Sequence, residues 1–126
     1  MKKEPITSKI VRIVLGLALI LMGLNVFLQF MPMAAMSASA TALLGAIMAA
    51  GYLMPMIGVF KLIVGLLFIV RKTTAVATLA LIPFLFNVLL FHIFLDPASM
   101  MMTIVFVLLN GYLVYDNWPK YKKLFD

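Results

Sequence analysis

Cysteine is absent from the 126 residues, which removes disulfides, thiol redox chemistry, iron–sulfur ligation and cysteine-based zinc sites. A single histidine, His92, supplies neither bis-histidine haem ligation nor a histidine zinc triad, so no metal site is expected. Only four acidic residues occur, and none falls at membrane depth inside an apolar run, which argues against a proton-driven pump or exporter. There is no glycine-rich phosphate loop and no Ser/His/Asp set with a nucleophile elbow. Charge of either sign is scarce at 11% against about 25% in a soluble domain. What fills the chain is apolar residues, 66% against about 45–50%. A soluble fold of one domain leaves roughly a third of its unfolded surface wet, so it could not hide that fraction. A lipid solvent removes the difficulty.

Crossing about 30 Å of hydrocarbon takes about 20 residues of helix. Apolar runs of that length predict helices over residues 13–30, 52–70, 74–94 and 98–115, with Pro32 ending the first and Arg71-Lys72 the second. Backbone polar groups in lipid must be paired within their own segment, so these runs are helices and not open strands. The expected fold is all-α, an integral membrane four-helix bundle in a single domain. Residues 34–50 are Ala-, Met- and Ser-rich and uncharged. Continued straight into the second helix, they would make about 36 helical residues spanning roughly 55 Å, far too long. Gly51 and Pro55 mark the break, which predicts a short helix at the outer interface, or dipping into it; the plainer alternative is a surface loop.

Net charge is +6, but the basic residues lie in three short clusters between apolar runs, a pattern that suits anionic headgroups better than nucleic acid. Lys2, Lys3, Lys9 and Arg12 precede the first run; Arg71 and Lys72 separate the second and third; Lys120, Lys122 and Lys123 end the chain. The connections over 31–51 and 95–97 carry no basic residue. Four crossings put all three clusters on one side, and the positive-inside rule makes it cytoplasmic, with both termini there. Tyr112, Tyr115, Trp118 and Tyr121 are expected to form an inner aromatic belt. The rival reading is a signal peptide cleaved near Ala38-Ser39-Ala40, which the length of the first run and its interruption by Asn25 and Gln29 disfavour.

The polar residues inside the runs are the candidate site. Lys61 sits midway along the second run, where an ionisable group costs at least about 2.5–3.5 kcal/mol. Gly51, Gly58 and Gly65 recur every seven residues, a smooth stripe that admits another helix, and Lys61 shares that face. It is expected to face helices and not lipid, either binding an anionic or carbonyl-bearing ligand or titrating. The alternative is a lysine satisfied by carbonyls and amides, or one snorkelling to an interface. Asn25 and Gln29 share one face of the first helix; Asn87 lies four residues after Pro83, which cannot donate to the Leu79 carbonyl. By depth, Asn25, Lys61 and Asn87 fall within about two turns of one another and would line one outward-facing pocket; interhelical hydrogen bonding is the alternative for each asparagine. His92 and Asp96, four apart, would form a proton-exchange pair, although Asp96-Pro97 also reads as an N-cap followed by proline at the first helical position. Thr103, Asn110 and Asn117 make a seven-residue polar stripe on the last helix, read as packing contacts.

The stretch from Gly51-Tyr52-Leu53-Met54-Pro55 through Lys61, Gly65 and Arg71 to Pro83 resembles the DoxX-like family of small four-helix bacterial membrane proteins. The run from Asn87 through Phe91-His92 to Asp96-Pro97 is the most specific part of the likeness, which covers most of the chain. The resemblance implies an inner-membrane protein in contact with quinone, since such proteins are similar to a membrane subunit of thiosulfate:quinone oxidoreductase. Lys61 stands where many such relatives have an acidic residue, so a role resting on a membrane carboxylate is not carried over. No cofactor other than quinone is implied. Two roles follow: a subunit binding quinone or a similar amphiphile through Lys61, Asn25, Asn87 and Gln29, with His92 and Asp96 exchanging protons; or a non-catalytic protein holding a partner, or a second copy of itself, through its glycine stripes. The lipid bilayer is the partner common to both.

Overall fold

The computed structural model describes residues 4–31 and 35–124. Lys2, Lys3 and Pro32, and the start of the 34–50 segment, lie outside the described residues. Among the described residues there is no strand. Helix α1 runs Ile6–Leu28, α2 Ala38–Ala49, α3 Leu53–Ile69, α4 Thr74–Leu95, α5 Met100–Asp116 and α6 Trp118–Lys122, with 3-10 turns over Arg71–Thr73 and Pro97–Ser99. Three helical stretches, Ile6–Leu28, Arg71–Leu95 and Pro97–Asp116, are long and apolar enough to cross a membrane, and a fourth is reached if the bent pair α2 and α3 counts as one.

The start of α1 differs from the sequence expectation by seven residues. Pro5, extended at φ −60°, ψ 145°, precedes the first turn, so the helix carries Ser8, Lys9 and Arg12 within it. Its far end is set by Asn25: the backbone carbonyl accepts from Gln29 N–H at 2.9 Å and the side-chain oxygen from Met31 N–H at 2.8 Å. Gln29 closes the helix in the left-handed region at φ 50°. Orphan carbonyls at a helix end need donors, and this arrangement provides them locally.

Segment 38–49 is a helix and not a loop. Ser37 caps it, its hydroxyl accepting from Ala40 N–H at 3.1 Å while donating to the Leu95 carbonyl at the end of α4. Gly51, at φ +84°, then turns the chain, and α3 departs at 94° to α2. Positive φ is what glycine supplies here. Gly51 therefore does not belong to the packing stripe; nothing lies within 4 Å of where its Cβ would be.

The remaining two glycines of the stripe meet a matching pair on α1. A Cβ on Gly65 would lie 2.8 Å from the Gly16 carbonyl oxygen, and one on Gly16 would lie 2.9 Å from the Gly65 oxygen. Gly23 and Gly58 repeat the arrangement one heptad along, with a Gly23 Cβ 2.9 Å from the Gly58 oxygen. The order 16 to 65 and 23 to 58 makes the helices antiparallel and nearly in backbone contact, the use of small residues expected where lipid gives no hydrophobic drive. Helix α1 packs on α3 and α5, and α4 packs on the same two, so the long helices form a closed ring.

Polar and apolar residues are distributed inside out. Leu15, Leu19, Val64, Phe68, Ala77, Leu81, Leu85 and Leu113 form the core, but Ser8, Arg12, Thr74, Thr78, Asp96, Thr103, Asn110 and Asn117 are buried with them. Leu21, Leu66, Phe86 and Leu108 are at least half exposed on the outer faces. A helix apolar all round belongs in an apolar solvent.

Candidate functional site

Among the described residues, cavities open towards both ends of the ring. The smaller, about 210 Å³, lies among α1, α3, α4 and α5. Lys61 enters it from α3 and His92 from α4, while Ser99 comes from the 97–99 turn and Thr103 from α5; Leu19, Met22, Phe84 and Phe106 make much of the rest. Lys61 is half-buried with its ammonium 5.8 Å from the Phe84 ring centroid, a cation–π contact worth about 2 kcal/mol where water is excluded. Its spacing suggests that Lys61 shares the glycine face, but it sits at the edge of that face: α3 gives the glycines to α1, and residue 61 meets the seam with α4. The position on α4 follows from period: Phe84, Val88 and His92 are spaced by four and share one face.

His92 Nδ1 lies 3.2 Å from the backbone carbonyl oxygen of Asp96. A carbonyl only accepts, so Nδ1 carries the hydrogen in this contact, which leaves Nε2 free of it. The expected pairing of His92 with the Asp96 carboxylate is therefore replaced by one with its main chain. Asp96 occupies the N-cap position of the 97–99 turn with Pro97 following, yet makes no side-chain capping bond, and its Oδ2 is buried with no partner among the described residues. The reason is geometric: a backbone that leaves α4 at φ −151° for Asp96 carries the carbonyl, not the carboxylate, over the imidazole.

The three amides expected beside Lys61 are elsewhere. Asn25 is committed to the end of α1, and Gln29 is its exposed C-cap. Asn87 is exposed, its Nδ2 donating to the Pro83 carbonyl at 3.0 Å. Equal depth did not bring these residues together because the faces of their helices differ. On α5 the polar stripe is internal: Thr103 lines the cavity, Asn110 donates to the Thr78 carbonyl at 3.3 Å across to α4, and Asn117 donates to Leu113 at 2.8 Å.

The larger cavity, about 650 Å³, is at the opposite end and is lined from all three basic clusters: Arg12, then Arg71 and Lys72, then Lys120. Arg12 is almost fully buried. Its Nε and Nη2 donate to the two Glu4 carboxylate oxygens at 2.9 and 3.2 Å, and Nη1 donates to the carbonyls of Phe68, at 2.9 Å, and Ile69. A guanidinium thus caps the C-terminus of α3, where both its hydrogen bonds and its charge are favourable. In the sequence Arg12 counts only for topology; the available signal is its place between Ile10-Val11 and the first apolar run, with Glu4 eight residues earlier.

The aromatic belt is also thinner than expected. Tyr112, Tyr115 and Trp118 are exposed, Tyr112 with its hydroxyl 3.2 Å from that of Ser8, but Tyr121 is buried with its hydroxyl on that of Thr78. Burial pushes the Tyr121 phenol up from its ordinary range, and the Asp116 charge adds to this while the Thr78 bond opposes it.

No protein-family model, curated protein or solved structure matches the chain. Fold and site by themselves define a class: an all-helical chain with three to four membrane-length apolar helices and polar side chains turned inward. Within that class, its mark is a lysine and a histidine on one internal, largely apolar cavity.

Proposed function

We propose that the chain is a multi-pass protein of the bacterial cytoplasmic membrane, a four-helix bundle of α1, α3, α4 and α5 with both termini inside and α2 at the outer interface. The apolar outer faces and polar interior support membrane integration, and the 94° turn between α2 and α3 supports an interfacial α2. Residues of the three basic clusters share one cavity, so the clusters lie at one end, which the positive-inside rule assigns to the cytoplasm. The 17 residues of α3 span about 25 Å at 1.5 Å each, slightly short of the hydrocarbon, which favours α2 entering the outer interface with it.

The function we infer is binding of a quinone or similar ring-bearing amphiphile in the smaller cavity, in keeping with the resemblance to DoxX-like proteins. One observation carries it: Lys61 and His92 line the same largely apolar cavity. An apolar cavity of about 150 Å³ admits benzene, so about 210 Å³ has room for one substituted ring. Lys61 would donate to a ring carbonyl. His92 Nε2 would accept from a ring hydroxyl, and His92 would be the residue that exchanges a proton with the outer side. A partner-holding role through the glycine stripe is less well supported, because Gly58 and Gly65 are filled by α1.

The test is thermal stability of the purified protein with a short-chain benzoquinone and its quinol. A ligand of the folded state stabilises by about 2.7 kcal/mol at a hundredfold excess over its Kd. A saturable rise that Lys61→Met abolishes is expected. No rise at saturation, or the same rise in Lys61→Met, overturns the reading.

A further inference from the structure

The larger cavity plays no part in that reading, yet it is the more highly charged of the two. Four cationic side chains line it, Arg12, Arg71, Lys72 and Lys120, against the carboxylates of Glu4 and Asp116. Glu4 is already engaged: it accepts two hydrogen bonds from Arg12, and Arg71 Nε lies 3.9 Å away. Lys72 and Lys120 form no ion pair among the described residues. Among the described lining residues Asp116 is the one other carboxylate, so the four cations outnumber the acids of the lining by two. Thr74 and Asn117 add polar groups to its wall. About 650 Å³ is the size of an ordinary small-molecule site. Basic pockets between helices on the cytoplasmic side are where phosphate headgroups bind.

We propose that this cavity is a binding site for a phosphate ester, with Lys72 and Lys120 as the principal charge contacts and the Arg12–Glu4 pair as a fixed wall behind them. Two sources carry that chemistry, the headgroup of an anionic lipid and a soluble phosphomonoester. Only the lipid source rests on the membrane reading. The buried Arg12, locked between Glu4 and α3, keeps the wall in place whether or not the site is filled. The lysines are exposed and free of packing, so their removal leaves the fold intact.

Native mass spectrometry of the full chain in detergent tests the proposal, with phosphatidylglycerol, phosphatidylcholine and glycerol 3-phosphate as separate probes. One molecule of phosphatidylglycerol retained in preference to phosphatidylcholine identifies the lipid source; retention of glycerol 3-phosphate identifies the soluble one. In either case the Lys72→Gln/Lys120→Gln variant is expected to weaken binding about thirtyfold, from about 1 kcal/mol per lysine at a phosphate surface. Asp116→Asn should strengthen it about fivefold by the same scale. Lys9→Gln/Lys123→Gln, at basic residues outside the lining, should change little. Absence of any phosphate adduct overturns the proposal, as does an adduct undiminished by the first pair or weakened equally by the control pair. Carbonate extraction of native membranes tests membrane residence separately, and its failure would leave the soluble arm standing.

Discussion

Replacing Gly65 by alanine would set a methyl group 2.8 Å from the Gly16 carbonyl oxygen and 2.7 Å from Ile20 Cγ1. Ordinary contact begins near 3.4 Å, so α1 and α3 must part by about 0.6 Å at this crossing, and the oxygen, being backbone, cannot swing aside. Overpacking of this kind costs about 1–3 kcal/mol. Alanine recovers about 1 kcal/mol of helix propensity, so the net loss is about 0–2 kcal/mol. Gly111 on α5 is the matched control, since nothing lies within 4 Å of its Cβ position. There the propensity gain acts alone. Subtracting the two variants cancels propensity, and Gly65→Ala should be less stable than Gly111→Ala by about 1–3 kcal/mol. Unfolding in mixed micelles, followed by the single tryptophan, Trp118, reads this directly. The Gly16→Ala/Gly65→Ala double variant should lose less than the sum of its parts, because one separation accommodates both methyls. Equal stability of Gly65→Ala and Gly111→Ala would refute the backbone-contact account of the α1–α3 seam.

Arg12→Met strips Glu4 of both its hydrogen bonds, leaving only the longer Arg71 contact, and leaves the last carbonyls of α3 without that donor, which should cost up to about 3–5 kcal/mol, and Arg12→Lys should rescue little because an ammonium cannot form the paired contact. Unfolding of both variants in the same micelles checks it; a change within about 0.5 kcal/mol of wild type would show the pair to be incidental. Ser37→Ala should cost about 0.5–2 kcal/mol locally and speed hydrogen exchange over residues 38–49 while α1 is unchanged. Equal acceleration in both helices would contradict it. For Tyr121 the raised phenol pKa means that the folded state holds the proton more tightly than the unfolded one. Its contribution is full below the unfolded value of about 10 and is lost as pH rises through the folded value. Wild type should therefore lose more stability than Tyr121→Phe as pH rises above the unfolded value of about 10, and parallel curves would count against a buried phenol.

Much of the architecture was legible because length and apolarity identify a long apolar helix without knowledge of its neighbours. That logic reaches α3, predicted over 52–70 and found over Leu53–Ile69, and α4, predicted over 74–94 and found over Thr74–Leu95. It also reaches the break at Gly51, where the length limit on a crossing and a positive φ coincide. It fails at the start of α1, where Arg12 was treated as a boundary charge. The guanidinium lies inside the helix because carbonyls of a different helix, 56 and 57 residues away in sequence, receive it.

The candidate site was legible in part. Lys61 was expected to turn inward because hydrocarbon rejects an ammonium, and it lines an internal cavity. Its companions were chosen by depth, and depth alone cannot place Asn25, Gln29 or Asn87, since each helix has an azimuth as well as a height. Azimuth is set by which face a helix buries. Here that choice was made by two pairs of glycines, Gly16 with Gly65 and Gly23 with Gly58, which bring the backbones of α1 and α3 into contact and leave residue 61 at the seam with α4. Composition and periodicity by themselves determined the helical class, the extents of α3 and α4 and the inward lysine, because these depend on apolarity along a single segment. Which side chains meet there, and that three distant basic clusters share a second cavity, depended on the packing of the helices, because contact between side chains is a property of pairs of helices and not of any single one.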